Sequence, residues 1–331
     1  MSDLYPLEYP MIEIIAFRKD GKAQILEDPT DIIDFPLIWF DIDRSQPNWY
    51  EAIKTVIEFE IDEKHLLDSL NELHPSFFDG TQGYDMVIFR GLCQGATVEK
   101  LKTEQTAFFL FEHCLITVHS QDNLAVQTVK KRLLSNGYKT HHLPFQPMAL
   151  MHQILDVMVT QFLVLREPLS EKLDSWRLRL VHNNFREWAS LINHKRQLRK
   201  LEILGEQQVD TLMGWREETR EVLDESLMVR YNDLVEHVHR VLNHVKNLQN
   251  EIEFLIQLHF SVQSQRTNQT IVLLTLVSIV FLPLNLIASI FGMNFAQLPL
   301  LENSYGFFYV LGSMGLLAGS LLWWFKWNRW L

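Results

Sequence analysis

Hydrophobic and polar positions divide this chain into three stretches with different periods. Up to Pro147, short runs rich in β-branched and aromatic residues read as strands: Ile12–Phe17, Leu37–Ile42, Tyr84–Arg90, Ala107–Phe111 and Cys114–Val118. Helical patterns fall between them at Trp49–Phe59, His65–Glu72 and Asn123–Leu134. This mixture predicts an α+β unit over residues 1–147, a sheet covered by helices. From Met148 the period lengthens. Met151, Leu155, Met158, Phe162, Leu165, Leu169, Leu173, Trp176 and Leu180 describe one apolar helix face, and His182-Asn183-Asn184 reads as a turn. A second helix is expected from Phe185 to Leu212, ending near Gly214, so residues 148–225 form antiparallel long helices.

A third helix begins near Asp224 or Ser226, and no glycine or proline interrupts the chain from there until Pro283. Its stripe, Leu234, Val238, Val241, Val245, Leu248, Ile252, Leu255, Leu258 and Val262, runs directly into a segment without charge. A helix from Ser226 to Phe291 would span roughly 100 Å at 1.5 Å per residue. Only about a third of that fits a hydrocarbon core. Residues 226–270 are therefore expected to form a stalk, with membrane helices at 271–291 and 304–325, a connector at 292–303 and a tail at 326–331.

Charge sharpens this division. No charged side chain occurs from Thr267 to Leu301 or from Asn303 to Phe325, so nearly all of the net charge of −11 lies ahead of them. Trp323, Trp324, Trp327 and Trp330 cluster beside Lys326 and Arg329, as at a membrane interface, and Arg266 marks the other end of the pair. Basic flanks on one side place both termini in the cytoplasm and the connector outside, in a multi-pass protein of the cell (inner or plasma) membrane. The opening Met1-Ser2-Asp3-Leu4 lacks a basic and apolar leader, so no cleaved signal peptide is expected. The acidic balance argues against a nucleic-acid partner. Cys93 and Cys114 lack the spacing of a zinc site and read as free thiols. Nucleophile-elbow, P-loop and His-Glu-x-x-His patterns are missing, so the sequence points to no enzyme and no resident cofactor.

The two apolar segments differ. Gly312, Gly315 and Gly319 in the second suit close helix packing. The first carries Thr267, Asn268, Thr275, Ser278, Asn285 and Ser289, several on one stripe with Ile271, Leu274 and Leu282. An amide at membrane depth needs a partner helix or water. For Asn285 the sequence leaves two readings, an interhelical hydrogen bond and the lining of a pore. Two helices cannot enclose a pore, so a lining role requires several copies around an axis, with the long helix innermost.

Phe291-Gly292-Met293-Asn294-Phe295 closes the first of the two C-terminal segments. This run resembles the Gly-Met-Asn signature of the CorA magnesium transporter family. Phe281–Leu284, Lys326–Leu331 and His65-Leu66-Leu67-Asp68-Ser69-Leu70 support the resemblance. It is strongest in the last fifth, while the architecture covers the whole chain. The resemblance implies a funnel-shaped homopentamer with a cytoplasmic α/β/α domain, passing divalent cations across the lipid bilayer. Gly292, Met293 and Asn294 would form the pore mouth, Asn294 as a ring of amides suited to the hydration shell of Mg2+. Leu282, Leu274 and Ile271 match the family's apolar constrictions. Asn285 falls where the family usually has threonine, Ser278 belongs to the same lining, and Asn268 stands at the inner polar entrance.

Two departures bear on the ion. Leu298-Pro299-Leu300-Leu301 replaces the family's usual Met-Pro-Glu-Leu, leaving Glu302 as the connector's carboxylate. Gln257 stands where well-studied members carry an aspartate that binds regulatory magnesium. Met293 follows the magnesium branch, whereas the ZntB-type zinc branch usually has valine there. Mg2+ is the favoured cargo, with Zn2+, Co2+ or Ni2+ as alternatives; no metal-ligating residues are assigned. His237 and His244 share a heptad position and read as packing histidines or, in an assembly, as stacked rings. Glu217, Glu218, Glu221, Asp224 and Glu225 read as a solvated face or as a local attractor of cations. His141-His142 reads as a loop pair. A non-conducting membrane scaffold or sensor is the reading from another class.

Overall fold

The computed structural model describes residues 12–19, 22–26, 35–46, 48–57, 60–93, 95–97, 99–135, 146–164, 166–181, 185–219, 224–293 and 305–328. Seven strands form one sheet: β1 (Glu13–Phe17), β2 (Ala23–Leu26), β3 (Leu37–Asp43), β4 (Phe77–Gly80), β5 (Asp85–Leu92), β6 (Thr103–Leu110) and β7 (Cys114–His119). Their order is β2-β1-β3-β7-β6-β5-β4, with β3 and β7 parallel and every other neighbour antiparallel. The helices are α1 (Trp49–Ile57), α2 (Glu63–Leu70), α3 (Leu124–Leu134), α4 (Pro147–Val164), α5 (Arg166–Val181), α6 (Trp188–Glu218), α7 (Glu225–Phe291) and α8 (Gly306–Trp327).

Strand side chains alternate between two faces, and each face meets different helices. Ile15, Phe17, Trp39, Phe89, Phe108 and Leu115 pack with residues of α3, α4, α6 and α7. Ile14, Phe40, Ile42, Met86, Ile88 and Phe109 pack with Trp49 and Ile53 of α1 and Leu66 of α2. Because both faces are covered, the central strands read as nearly continuous apolar runs. The result is an α/β/α arrangement, as the resemblance implied. The sequence pattern passed over β2 and β4. Both are four-residue edge strands with mixed exposure, too short to show a period. It also ended the second long helix too early. α6 continues through Gly214 to Glu218 because Trp215, only 2% exposed, anchors the extra turn in the core. The turn expected at residues 182–184 and the pair His141-His142 lie outside the described residues.

The chain divides into two compact units, residues 1–254 and 255–331, and α7 supplies residues to both. Asp224 caps α7, its Oδ1 accepting from the Leu227 amide at 2.6 Å. In the first unit Tyr231, Leu234 and Val238 enter the core, and the Tyr231 hydroxyl donates to the Leu212 carbonyl of α6 at 2.5 Å. A Cβ added at Gly205 of α6 would lie 2.7 Å from a Leu242 methyl of α7, so only glycine fits that crossing unchanged. Ion pairs add a polar margin: Lys195–Glu253 at 3.0 Å between α6 and α7, and Arg177 with Glu251 between α5 and α7. These exposed pairs each contribute under about 1 kcal/mol.

A buried ionic cluster ties β1, β3 and β7 to α3. Asp41, 4% exposed at its side chain, receives Lys130 Nζ at 2.5 Å and lies 2.6 Å from His119 Nε2. Thr117 Oγ1 donates to the same carboxylate at 3.0 Å, and Lys130 also reaches Glu13 at 2.9 Å. Burial alone would raise the Asp41 pKa. Hydrogen bonds and charge from His119 and Lys130 outweigh burial and hold it at about 2. A depressed carboxylate stabilises the fold above its ordinary value of 3.8, and that contribution is lost as pH falls toward about 2. Asp41→Asn would leave Lys130 and His119 buried without their shared countercharge. Removing one partner of such a cluster costs about 3–5 kcal/mol, so thermal unfolding of the full chain in detergent should show a large fall in midpoint. Adding Lys130→Met should restore part of it, whereas an unchanged midpoint in the single variant would show that the cluster stabilises nothing.

Candidate functional site

Among the described residues, three helical stretches are long and apolar enough to cross a membrane by length and composition: Pro147–Leu180, Glu225–Phe291 and Gly306–Trp327. The first was not anticipated as a membrane candidate, and its surroundings explain its apolarity. Half of its most apolar window is buried inside the protein, against 6% for each of the other two. Its side chains serve the sheet core through Leu150, Met151, Ile154 and Leu155. The apolar surface of the second unit has no such cover. Phe281, Leu282, Leu286, Phe307, Phe308 and Leu316 are each more than 60% exposed, the surface a lipid or a neighbouring helix would cover.

On α7 the less exposed positions in this unit are Val272, Leu276, Val280, Pro283, Leu284, Ile287 and Phe291, a single helical stripe. On α8 the corresponding stripe is Val310, Met314, Leu317, Ala318, Leu321 and Phe325. Met314 lines the same open groove, about 540 Å³, as Ser278, Phe281, Leu282, Leu284, Asn285 and Ala288. At 100° per residue, Ile271, Ser278, Leu282, Asn285 and Ser289 fall roughly opposite the Leu276 stripe, with Asn268 and Thr275 on its flank. All are exposed, as is Leu274 beside them. The structure therefore brings Asn268, Ile271, Leu274, Ser278, Leu282 and Asn285 onto one open side of α7, and Ser278, Leu282 and Asn285 into one groove. Sequence spacing missed Phe281, Ala288 and Met314 as groove residues. The first two were legible at i−4 and i+3 from Asn285, but the register of α8 against α7 was not.

Hydroxyls and amides on this face behave differently. Thr267, Thr270 and Ser278 donate to carbonyls four residues back, at 3.0, 3.1 and 2.9 Å, and so satisfy themselves within the helix. The side-chain amides of Asn268 and Asn285 make no hydrogen bond to another described residue. Asn285 in particular finds no interhelical partner on α8 among the described residues. Neither amide makes the turn-back bond that Asn328 makes to the Trp324 carbonyl at 3.1 Å, so each needs water or another copy. α7 continues through Pro283 without a break, although Pro283 cannot donate to the preceding turn.

At the end of α7 the Gly292 amide donates to the Ala288 carbonyl at 2.9 Å and that of Met293 to Ile290 at 3.3 Å. A Cβ at Gly292 would stand 3.2 Å from the Ala288 oxygen, so the tight closure of its own helix favours glycine before any neighbour is considered. Met293 is 49% exposed. Asn294, Leu300 and Glu302 lie outside the described residues. No cluster of three metal-ligating side chains occurs among the described residues. Gln257 is exposed, as are Glu217, Glu218, Asp224 and Glu225, while Glu221 is outside the described residues. His237 lies 3.5 Å from Asp156 of α4 and 3.7 Å from Asp233, engaged within its own chain.

Comparison with known proteins gives the same direction. The sequence matches the model of the CorA-like Mg2+ transporter protein family over residues 36–327. It is 21% identical to the cobalt/magnesium transport protein CorA of Thermotoga maritima, over 87% of this chain and 85% of that one. The solved CorA magnesium transporter of Methanocaldococcus jannaschii shares the fold with a TM-score of 0.82, at 17% identity over 97% of this chain and 99% of its own. The ZntB cytoplasmic domain of Vibrio parahaemolyticus does so with a TM-score of 0.63, at 14% identity over 77% and 99%. A family match that takes in five of the seven strands, the long helices and both exposed apolar segments settles the assignment: the chain belongs to the CorA-like Mg2+ transporter family, a family of divalent-cation transporters rather than of enzymes.

Proposed function

We propose that this chain assembles as a homopentamer in the cell membrane and passes divalent cations, with Mg2+ as the physiological cargo, along a pore lined by α7. The observation that carries this reading is the exposed polar face of α7, whose amides at Asn268 and Asn285 have no partner among the described residues. Turned toward a common axis, five such faces would meet water instead of lipid. Asn268, Ser278 and Asn285 would contact the hydrated ion, and Ile271, Leu274 and Leu282 would narrow the path into apolar rings that gate by dewetting. Gly292, Met293 and Asn294 would form the external mouth. α8 would then lie outside α7, with both termini in the cytoplasm.

Neutral amides suit Mg2+ because it sheds water reluctantly and is recognised through its shell. Met293 and the family match support Mg2+ over Zn2+. Flux into dye-loaded proteoliposomes tests the reading. Asn294→Ala should lower Mg2+ entry about tenfold or more, the factor carried by roughly 1.4 kcal/mol of lost hydrogen bonding to an ion shell. Leu282→Ala in the same assay should raise leak. Wild-type entry in the Asn294 variant would remove the selectivity role, and faster Zn2+ than Mg2+ entry would reassign the cargo.

Gln257 bears on gating. A neutral amide contributes no charge to a sensing site for Mg2+, which favours carboxylates. Raising internal Mg2+ to about millimolar levels should therefore close this pore only weakly. Gln257→Asp should steepen the inhibition. Steep closure of the wild type would mean that other residues carry the sensor.

A further inference from the structure

The sheet unit holds a second polar concentration that transport does not use. β3 and β7 are the parallel pair, and their carboxyl ends lie side by side, Ile42 opposite Val118 and Asp43 opposite His119. The Arg44 amide, just past β3, donates to the His119 carbonyl at 2.8 Å, and Arg44 Nη2 donates to the Gln105 carbonyl of β6 at 2.5 Å. The Ser120 hydroxyl donates to Glu104 Oε2, and Asn123 Nδ2 donates to Thr106 Oγ1 at 2.6 Å. Glu104 is 7% exposed, and its second oxygen, Oε1, has no partner. Two further buried polar atoms just past β3 are equally unused, Arg44 Nε and Gln46 Oε1. Native interiors rarely leave such groups unpaired, so a buried carboxylate oxygen without a partner calls for a proton.

The charges define what that is. Glu104 faces His119 of β7, Arg44 after β3, Arg90 of β5 and Asp122 in the turn before α3. Cys93 at the end of β5 and Lys102 ahead of β6 complete the surroundings, and Glu72 after α2 faces Arg44. With cations on three sides and one carboxylate at its centre, the corner does not suit a divalent metal. We infer that Glu104 is a proton-binding site of the sheet unit, the proton adding to Oε1 from solvent and leaving the same way. Ser120 donates to the other carboxylate oxygen, which leaves Oε1 as the atom that takes the proton. Burial pushes the Glu104 pKa from 4.5 to about 7, with Asp122 adding to it and the pull of His119, Arg44 and Arg90 insufficient to offset it.

The sign of the linkage follows. A carboxyl whose folded-state value is raised binds its proton more tightly when folded. Its contribution to stability is full below pH 4.5 and is lost as pH rises to about 7. Infrared difference titration of the full chain in detergent micelles tests the site. The wild type should lose a protonated-carboxyl band centred near pH 7, and Glu104→Gln should lack that band. The thermal midpoint of Glu104→Gln relative to wild type should rise between about pH 4.5 and about pH 7 and level off above. Ser120→Ala, which removes a donor to the carboxylate, should move the band to higher pH. Persistence of the band in Glu104→Gln, its absence from the wild type, or an unmoved band in Ser120→Ala would overturn the assignment.

Discussion

Two side-chain amides on the charge-free end of α7 constrain the rest of this molecule. Asn285 lies roughly opposite the stripe containing Leu276, which is 6% exposed, and Asn268 lies on its flank; both are open. The hydroxyls nearby close back onto their own helix, at 2.9–3.1 Å, and make no demand on the surroundings. The amides of Asn268 and Asn285 do not close back in this way, and lipid offers them nothing. A single chain with two apolar segments has no means to cover that face. Several copies around a wet axis, as proposed above, would cover it and would make the polar stripe useful instead of costly.

The long helix links this requirement to a folded body. Tyr231, Leu234 and Val238 commit the first turns of α7 to the sheet core, and Gly205 lets α6 cross it closely. The last turns of the same helix present the polar face. The sheet unit has its own polar economy, in which the Asp41–Lys130–His119 cluster is paired and the Glu104 corner is left partly unpaired. One fixes structure, and the other leaves a group free to titrate.

Much of this was legible in the sequence because the patterns are strong. The central strands are unbroken β-branched and aromatic runs, and the charge-free segments are unmistakable. β2 and β4 were not legible, since a four-residue edge strand such as Phe77–Gly80 buries too little to impose a period. The heptad spacing of His237 and His244 suggested stacked rings, but spacing along one helix cannot show that Asp156 of α4 stands 3.5 Å from His237. Asn285 left two readings open for a similar reason. Only the relative placement of α7 and α8 shows that Met314 lines its groove and that no amide partner waits there among the described residues.

The central claim is that the polar face of α7 meets water in the assembled protein. Single cysteines placed from Asn268 to Ser289, in a background carrying Cys93→Ser and Cys114→Ala, can be probed in membranes with a water-soluble thiol reagent. Reactivity should recur at Asn268, Ile271, Thr275, Ser278, Leu282 and Asn285 and be low at Val272, Leu276, Val280 and Ile287. Uniformly low reactivity, or a period that follows Leu276 instead, would contradict the account.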